Sequence, residues 1–360
     1  MLACTNHILV INPGSTSTKI AVYRGLQSMF QKNIVHTEEE LSAFEKISDQ
    51  FEFRKNVILE ELRTNDVDLD CIEIVMGRGG LIKPVPSGVF RVNEALKADL
   101  RNSPLGEHAS NLGGLIADDI AQNLPNAKAY IADPVVVDEF DDIARVTGHP
   151  ILERRSIFHA LNQKAIAYDY ARAIHTPYNE LSLIVAHMGG GITVGAHHKG
   201  RVIDVNQGLD GDGPFSPERT GTLPVGGIVS LCFSGDYTEK EIRKMVTGRG
   251  GFVAYFNTND ARKIEDLAND GDKKAKLIFE AMAYQVAKEI GAMQTVLYSK
   301  VDAILLTGGI AYSNYFVGLI SDRVANIAPV HVFPGEDEMK SLAKNGVKVF
   351  QGEILPMDYK

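Results

Sequence analysis

The strongest constraint on the fold is a strand–turn–strand pattern that occurs twice in this chain of 360 residues. Residues 8–25 read ILVINPGSTSTKIAVYRG, and residues 183–200 read LIVAHMGGGITVGAHHKG. An ungapped alignment of the two segments has identical residues at Val10/Val185, Gly14/Gly189, Thr18/Thr193, Ala21/Ala196 and Gly25/Gly200. Apolar strands around a turn of small residues predict a β-hairpin. Its repetition favours two similar domains made by duplication, with a ligand cleft between them.

The segments outside the hairpins alternate between strand and helix patterns, which predicts an α/β fold. The predicted strands are 72–76, 129–137 (interrupted by Pro134) and 301–306. The predicted helices are 107–123, 153–175, 272–298 and about 313–326. The chain is longer than the usual ~100–200 residues of one domain, so we expect two α/β domains.

The charge balance argues against polyanionic partners. Lys and Arg number 37 against 46 Asp and Glu, a formal net charge of -9, so a nucleic acid or an anionic membrane would attract this chain weakly. No stretch approaches ~18 consecutive apolar residues, and the N-terminus lacks the pattern of a signal peptide. We therefore expect a cytoplasmic protein without a membrane or nucleic-acid partner. Cys4, Cys71 and Cys232 lack metal-ligand spacing and are expected to be reduced thiols.

The first hairpin turn, from Asn12 to Lys19, has the composition of a phosphate-binding loop. Gly14 lets a ligand approach the backbone, and the hydroxyls of Ser15 and Ser17 can donate to phosphate oxygens together with backbone N–H groups. Lys19 adds a positive charge. The GxxxxGK[ST] spacing of a Walker A loop is absent. Taken alone, the segment fits an ordinary Ser/Thr-rich hairpin equally well.

Two further glycine-rich turns follow predicted strands. Residues 189–191 are three consecutive glycines, more than a structural hairpin needs, which favours close approach to a phosphate. Residues 308–309 lie between a strand and a helix, where the helix N-terminus can bind a phosphate or nucleoside, although such a turn is often only a tight connection. The three turns together supply the candidate nucleotide-binding residues: Gly14, Ser15, Ser17, Lys19, His187, Gly189, Gly190, Gly191, Gly308 and Gly309.

Three such turns, two of them in matching halves, resemble the actin–hexokinase–heat-shock ATPase fold, in which two duplicated ribonuclease H-like domains enclose a nucleotide cleft. In that fold two turns hold the ATP phosphates and the third contacts the adenosine. Sugar kinases and actin-like ATPases usually carry Asp at the position of Asn12. The pattern N-x-G-S-x-S-x-K, from Asn12 to Lys19, instead resembles the acetate and butyrate kinases.

Other segments resemble the same family in order, from Ile8 to about Ala343. They are residues 77–80, 107–114, 133–134, 154–159 and 204–222. The segments VMGRGGLIKPVPSG, ADPVVVDEF and DGDGPFSPERTG are closer to the butyrate branch of the family, and Gly190 replaces an asparagine of acetate kinases. The resemblance implies phosphoryl transfer between ATP/ADP and a short carboxylic acid or its acyl phosphate, with Mg²⁺. The preferred acid (butyrate, isobutyrate, propionate or acetate) stays open.

The resemblance also implies roles for individual residues. Arg78 and Arg219 would clamp the carboxylate and the transferred phosphoryl group, because guanidinium donates paired hydrogen bonds to both; a structural ion pair is the alternative for each. His159 would donate to phosphoryl oxygens. No general base is needed, because a carboxylic acid is already ionised at pH 7, so catalysis is positioning and charge neutralisation.

The full set that the resemblance implies comprises catalytic residues, metal-associated carboxylates and a substrate pocket. The catalytic residues are Arg78, Arg219, His159, Asp133 and Asn12. The carboxylates near the metal are Asp133 and Glu338. The pocket residues are Arg78, His108, Phe158 and Pro214. For His108 and His187 a structural role is equally compatible with the sequence.

The resemblance further implies one domain of residues 1–140 plus about 340–360, a second of 141–339, and a homo-oligomer of two or more copies. Two other classes are left open. A sugar kinase would carry a carboxylate base near an acceptor hydroxyl, and an actin-type ATP-binding protein would show no acid-dependent turnover.

Overall fold

The computed structural model describes residues 6–335 and 337–360. The chain divides into two compact units: the first consists of Met1–Val137 and Asp337–Lys360, and the second of Asp138–Glu336. The C-terminal segment therefore belongs to the unit in which the chain begins. The resemblance implies slightly different boundaries for two separately folding domains, and these boundaries stay a prediction.

Strands and helices alternate through both units. From residue 7 to residue 132 the elements are β1 (His7–Pro13), β2 (Ser17–Arg24), β3 (Gln27–Val35), α1 (Glu38–Ser42), α2 (Phe51–Thr64), β4 (Ile72–Arg78), β5 (Val89–Arg91), α3 (Glu94–Asn102), α4 (Asn111–Gln122) and β6 (Lys128–Ala132). From residue 142 to residue 256 they are α5 (Asp142–Arg145), α6 (Ala160–Ala173), β7 (Ser182–Met188), β8 (Ile192–His198), β9 (Arg201–Val205), α7 (Val225–Cys232), α8 (Glu239–Val246) and α9 (Gly251–Phe256). The remaining elements are α10 (Ala261–Asn269), α11 (Lys273–Val296), β10 (Ala303–Gly308), α12 (Asn314–Val324), β11 (Val330–Pro334), α13 (Glu338–Phe350) and β12 (Met357–Asp358).

The first unit is built on a mixed sheet with the strand order β12-β5-β6-β4-β1-β2-β3. Strands β1, β4 and β6 are parallel, and β1, β2 and β3 form an antiparallel meander. Helices cover both faces, because neighbouring residues of a strand point to opposite sides. Helix α4 lies against Gly77 of β4, and α13 lies against the face that carries Met76.

Helix α4 packs with its backbone directly on β4. A Cβ added to Gly113 would lie 2.4 Å from the carbonyl oxygen of Arg78, so only glycine fits there. The helix predicted at 107–123 therefore tolerates its two glycines, although it begins at Asn111 rather than at residue 107. This contact fixes the end of β4, where Arg78 lies.

The second unit has a sheet with the strand order β11-β10-β7-β8-β9, in which β7, β10 and β11 are parallel. Both faces are buried, which explains why its strands are almost continuously apolar. On one face, Leu183 and Val185 pack with Tyr170 of α6. On the other face, Ile184 and Ala186 share a core with α11 and α12.

The helix predicted at 153–175 begins later, at Ala160. Its basic start is not helical because Arg154 is held by tertiary contacts. The Arg154 main-chain N–H donates to the Arg145 carbonyl at 3.1 Å, and its Nη1 donates to Asp204 Oδ1 at 2.8 Å. The residues before His159 thus reach the site in an irregular conformation.

The repeated hairpin is confirmed. Strands β1 and β2 pair in the first unit and β7 and β8 in the second, and each pair is followed by a third antiparallel strand. The turns differ in length. Residues 14–17 separate the paired Pro13 and Thr18, whereas residues 189–191 separate the paired Met188 and Ile192. The ungapped alignment therefore matches the sequences but not the exact register across the turns.

Among the described residues, no helix is both long and apolar enough to cross a bilayer. Cys232 is a free, exposed thiol, as predicted. Cys71 is disulfide-bonded, so the prediction of a reduced thiol is wrong for that residue, because spacing in the sequence says nothing about proximity in the fold. Cys4 lies outside the described residues.

Candidate functional site

The parallel strands of the first unit bring three predicted residues to one edge of their sheet. Asn12 lies near the end of β1, Arg78 is the last residue of β4, and Asp133 directly follows β6. These strands are neighbours in the order β6-β4-β1. Loops and side chains at the carboxyl ends of parallel strands are where α/β sheets bind ligands.

Glu338 connects two of these residues. It is the first residue of α13, and it accepts hydrogen bonds from Asn12 Nδ2 at 2.5 Å and from Arg78 Nη1 at 2.6 Å. The Arg78 side chain is only 8% exposed and that of Glu338 is 21% exposed. The sequence grouped Glu338 with the metal, whereas its described contacts make it the counter-charge of Arg78.

Asp133 is held in an unusual backbone conformation. Its φ of 37° is positive, which ends the strand predicted over 129–137 at Ala132. Its Oδ1 accepts from the Ser87 hydroxyl at 2.7 Å and from the Gly88 N–H at 2.8 Å. These contacts fix the direction of the carboxylate, as a metal-associated carboxylate requires.

Residues 6–335 and 337–360 contain no group of three or more His, Cys, Asp or Glu side chains arranged for a metal. Mg²⁺ in phosphoryl-transfer sites usually takes one or two carboxylates, with waters and substrate phosphates as the other ligands. A single oriented carboxylate such as Asp133 fits that requirement.

The first phosphate-binding candidate, the turn of residues 14–17, rests on a residue that the sequence analysis missed. Arg54 of α2 is 1% exposed. Its Nη1 donates to the carbonyls of Gly14 and Ser17 at 2.9 and 3.1 Å, and its Nη2 donates to the carbonyl of Ser15 at 3.1 Å. The remaining carbonyl, of residue 16, accepts from the main chain of His36 at 2.9 Å.

All four carbonyls of this turn are thus hydrogen-bonded. In a trans peptide the C=O and the next N–H point in opposite directions, so the N–H groups of residues 15 and 16, which follow two of the carbonyls bound by Arg54, are directed away from it. Backbone N–H groups oriented in this way can bind an anion. Lys19 is exposed on β2, opposite Asn12 in the register.

The sequence pattern of α2 could have indicated that Arg54 is buried. Helix α2 buries Arg54, Ile58 and Leu62, which are spaced four residues apart. An arginine in the apolar stripe of a helix indicates a buried charge that must have several acceptors.

The second turn, residues 189–191, is organised around Arg219. A Cβ on Gly191 would lie 2.0 Å from Arg219 Nη1, so the glycine makes room for the guanidinium. Arg219 Nη1 also donates to the Gly208 carbonyl at 2.6 Å. Burial lowers the pKa of the Arg219 guanidinium while Glu218 opposes that shift, and the group stays charged at neutral pH.

Two histidines lie beside the same turn. The rings of His159 and His187 are 4.3 Å apart between centroids. His159 Nδ1 lies 2.9 Å from the hydroxyl of Thr193 in β8, and His187 is buried near the end of β7. The structure therefore groups Arg219, His159, His187 and the glycine turn in the second unit.

The third turn borders a cavity of about 530 Å³ in the second unit. It is lined by the second and third turns and by α10, α11 and the segments around them: Gly189, Gly190, Pro217, Asn259, Asp260, Ala261, Arg262, Glu265, Phe279, Gly309, Ile310, Tyr312 and Ser313. This volume is within the usual range of small-molecule sites. Of these residues only the glycines were predicted to bind nucleotide, because most of the others belong to no recognisable motif.

The predicted pocket residues are distributed over both units. Phe158 and Pro214 are buried in the second unit. His108 is exposed in the first unit, where its Nδ1 accepts from the Ser110 main-chain N–H at 3.2 Å. Their roles toward a substrate stay predictions.

The chain is also similar to known proteins. Residues 145–340 match the sequence profile of the Acetokinase family. The chain is 52% identical over 353 residues to a probable butyrate kinase of Bacteroides thetaiotaomicron, with 98% of this chain and 99% of the relative covered. It is 52% identical over the same length to butyrate kinase 1 of Clostridium acetobutylicum, with the same coverage.

Solved structures are similar in fold. A Porphyromonas gingivalis acetate kinase superposes with a TM-score of 0.76 at 18% identity, covering 96% of this chain and 99% of that one. A Francisella tularensis propionate kinase superposes with a TM-score of 0.74 at 20% identity, covering 94% and 98%. The predicted α/β fold of the acetate kinase type is confirmed.

Proposed function

Because this chain belongs to the Acetokinase family, we propose that it is a butyrate kinase that transfers a phosphoryl group reversibly between ATP and butyrate. The observation that carries the proposal is the 52% identity to two butyrate kinases over 98% of the chain. Full-length similarity at this level supports the same reaction. This similarity argues against the two alternatives, a sugar kinase and an actin-type ATP-binding protein.

The site chemistry supports transfer to a carboxylate. The acid arrives ionised, so the enzyme must bring two anions together and neutralise the charge of the phosphoryl group. Arg78 and Arg219 supply fixed positive charge, and His159 supplies a hydrogen-bond donor. Removing one such donor typically costs ~10²–10³ in rate.

The nucleotide is proposed to use the glycine turns. The N–H groups of residues 15 and 16 and the open turn of residues 189–191 suit phosphate oxygens, and the cavity of about 530 Å³ suits the adenosine. Mg²⁺, which would neutralise part of the phosphate charge, is proposed to be oriented by Asp133. The oriented carboxylate described above supports that role.

A hydroxamate assay tests the proposal. Purified protein is incubated with Mg-ATP, hydroxylamine and, separately, acetate, propionate, butyrate or isobutyrate, and the acyl hydroxamate is measured. We expect the highest kcat/KM with butyrate and a loss of ~10²–10³ in Arg78→Ala and Arg219→Ala. A maximum with another acid would keep the reaction and change the substrate. No hydroxamate from folded, ATP-binding protein would reject the proposal.

We also propose that the enzyme is a homo-oligomer. Helix α7 is apolar and has no buried residue, and Val225, Val229 and Phe233 in and beside it are 77%, 50% and 86% exposed. Exposed apolar patches often mark protein interfaces. Light scattering should give a mass of at least two chains, and Phe233→Glu should reduce it. A monomeric wild type would reject this part of the proposal.

A further inference from the structure

Behind His159 lies a continuous series of buried side-chain hydrogen bonds that the reaction chemistry above does not use. It runs from Tyr178 through His197, Gln163 and Thr193 to His159, with successive distances of 2.7, 2.9, 2.9 and 2.9 Å. Gln163, Thr193 and His197 are 0% exposed, and Tyr178 is 5% exposed. Water cannot rearrange such a series, so its donors and acceptors must be mutually consistent.

The direction of the series is set by Gln163. Its Nε2 lies 3.0 Å from the main-chain carbonyl of Thr193 as well as 2.9 Å from the Thr193 hydroxyl. A carbonyl oxygen can only accept, so the amide nitrogen must face Thr193 and the amide oxygen must face His197. Gln163 is therefore a donor toward His159 and an acceptor toward Tyr178.

His197 is consistent with that direction. Its Nε2 lies 2.9 Å from Gln163 Oε1 and must carry the proton. Burial, and secondarily the positive Lys164, lower the pKa of His197 well below its ordinary value, so the ring is neutral. Its Nδ1 then accepts from the Tyr178 hydroxyl at 2.7 Å. Lys164 itself is paired with Glu139 at 2.6 Å.

The Thr193 hydroxyl determines which ring nitrogen of His159 is protonated. Its oxygen accepts from Gln163 Nε2 and also lies 3.5 Å from the His159 main-chain nitrogen. A hydroxyl has two acceptor positions and one proton. Both acceptor positions face N–H groups, so the proton is directed to His159 Nδ1 at 2.9 Å. A neutral His159 ring must then carry its own proton on Nε2.

We propose that Tyr178, His197, Gln163 and Thr193 are positioning residues that hold His159 as the Nε2–H tautomer, so that the ring offers one fixed N–H donor rather than a base. The inference deepens the proposed function and rests on it, because a reaction with an ionised carboxylate needs donors to the phosphoryl oxygens and no proton acceptor. Polar groups that are oriented before the reaction need no reorganisation during it.

The direct test is the tautomer of His159 in full-length protein labelled with ¹⁵N-histidine. Long-range ¹H–¹⁵N spectra distinguish protonated from unprotonated ring nitrogens, and the signals that disappear in His159→Gln assign the residue. At neutral pH we expect a protonated Nε2 and an unprotonated Nδ1. A protonated Nδ1, in either the other tautomer or the cation, would overturn the proposal.

A matched pair of variants tests the role of the hydroxyl. Thr193→Val keeps the shape of the side chain and removes the hydroxyl, whereas Thr193→Ser keeps the hydroxyl. We expect Thr193→Val to lose the fixed Nε2–H signature and to lower kcat about tenfold with little change in either KM, as for one net hydrogen bond. Thr193→Ser should restore the signature and most of kcat. Identical His159 spectra in both variants and wild type would contradict the positioning role.

Two controls separate the possible failures. Circular dichroism and thermal melting of Thr193→Val establish that a lower kcat is not a loss of fold. The NMR signature does not depend on turnover, so a correct tautomer in a protein that forms no hydroxamate would reject the butyrate kinase proposal and leave the positioning network intact. Hydroxamate formation with a protonated Nδ1 would do the reverse.

Discussion

Both units contain the same hairpin, yet the side chain that supports each turn is different. A buried threonine follows each turn, and each accepts a hydrogen bond from the helix behind it. Thr18 accepts from Nη1 of Arg54 at 3.0 Å, and Thr193 accepts from Nε2 of Gln163 at 2.9 Å. The first turn thus rests on a charge, and the second rests on a neutral amide.

A histidine completes each pair. His36 Nε2 lies 2.8 Å from the Thr18 hydroxyl, and His159 Nδ1 lies 2.9 Å from that of Thr193. In the first unit Arg54 donates hydrogen bonds to turn carbonyls, so the N–H groups that follow the carbonyls of Gly14 and Ser15 point away from it. In the second unit the turn consists of three glycines, and Gly191 leaves room for the Arg219 guanidinium. The neutral amide of Gln163 fixes the Thr193 hydroxyl beside His159. The two hairpins are therefore alike, whereas the side chains that support their turns differ in charge.

The largest expected effect comes from removing the charged support. Arg54→Met should destabilise the protein by ~3–5 kcal/mol, because several buried carbonyls lose a charged donor and each such bond contributes ~1.5–3 kcal/mol, without full additivity. Urea unfolding measures the change. Arg63→Met on the same helix is the control, because the Arg63 side chain forms an exposed ion pair with Glu60, which is expected to contribute below ~1 kcal/mol. Equal destabilisation by the two variants would mean that Arg54 does not support the turn.

The second turn depends on space. Gly191→Ala would place a methyl group 2.0 Å from Arg219 Nη1 and displace the guanidinium, so we expect kcat/KM to fall by ~10²–10³. Gly190→Ala is the steric comparison within the same candidate phosphate-binding turn, since its nearest contact would be an ordinary 3.5 Å to the Glu218 carboxyl, and we expect it to lose less activity than Gly191→Ala. Steady-state kinetics of the two variants gives the comparison. Similar losses in both would place the requirement on glycine flexibility and not on Arg219.

Glu338 distinguishes a counter-charge from a metal-associated carboxylate. If it mainly neutralises Arg78, Glu338→Gln should free that guanidinium for the acid and lower the KM for butyrate roughly three- to tenfold, the size of a modest ion pair. Glu353→Gln, at an exposed position of the same unit, controls for the change of net charge. A higher Mg²⁺ requirement with an unchanged KM for the acid would instead support the role that the sequence resemblance implied.

The sequence predicted the parts of this site that carry motifs. The hairpins and the glycine turns could be placed because strand patterns follow local rules, whereas Arg78 and Asp133 were assigned from the family resemblance. It did not predict that Glu338 pairs with Arg78, because that contact joins residues 260 positions apart in sequence. The positive φ of Asp133 was also missed, since only Gly is a reliable sign of that conformation.

The supporting residues were the hardest to predict. Gln163 lies inside a helix and has no motif of its own, and its importance depends on which backbone carbonyl its amide meets. The irregular start before α6 has the same origin, because Arg154 donates a hydrogen bond to Asp204, 50 residues further along the chain. Tertiary contacts of this kind override local helix propensity.

The smallest expected effect is a pH dependence that compares the two halves through their buried histidines. Burial, followed by the charge of Arg54, lowers the pKa of His36, and burial lowers that of His197 well below its ordinary value. Below the unfolded pKa of about 6.5 the unfolded chain therefore binds more protons than the native one, so stability falls as the pH drops below that value. Urea unfolding between pH 5 and 8 should show this slope, and His197→Gln should reduce it more than His36→Gln, because the His197 pKa is lowered further. Exposed His149→Gln is the control. Equal slopes in wild type and both buried-site variants would show that neither histidine is neutral in the fold. That result would contradict the neutral His197 on which the proposed proton positions of the network behind His159 depend.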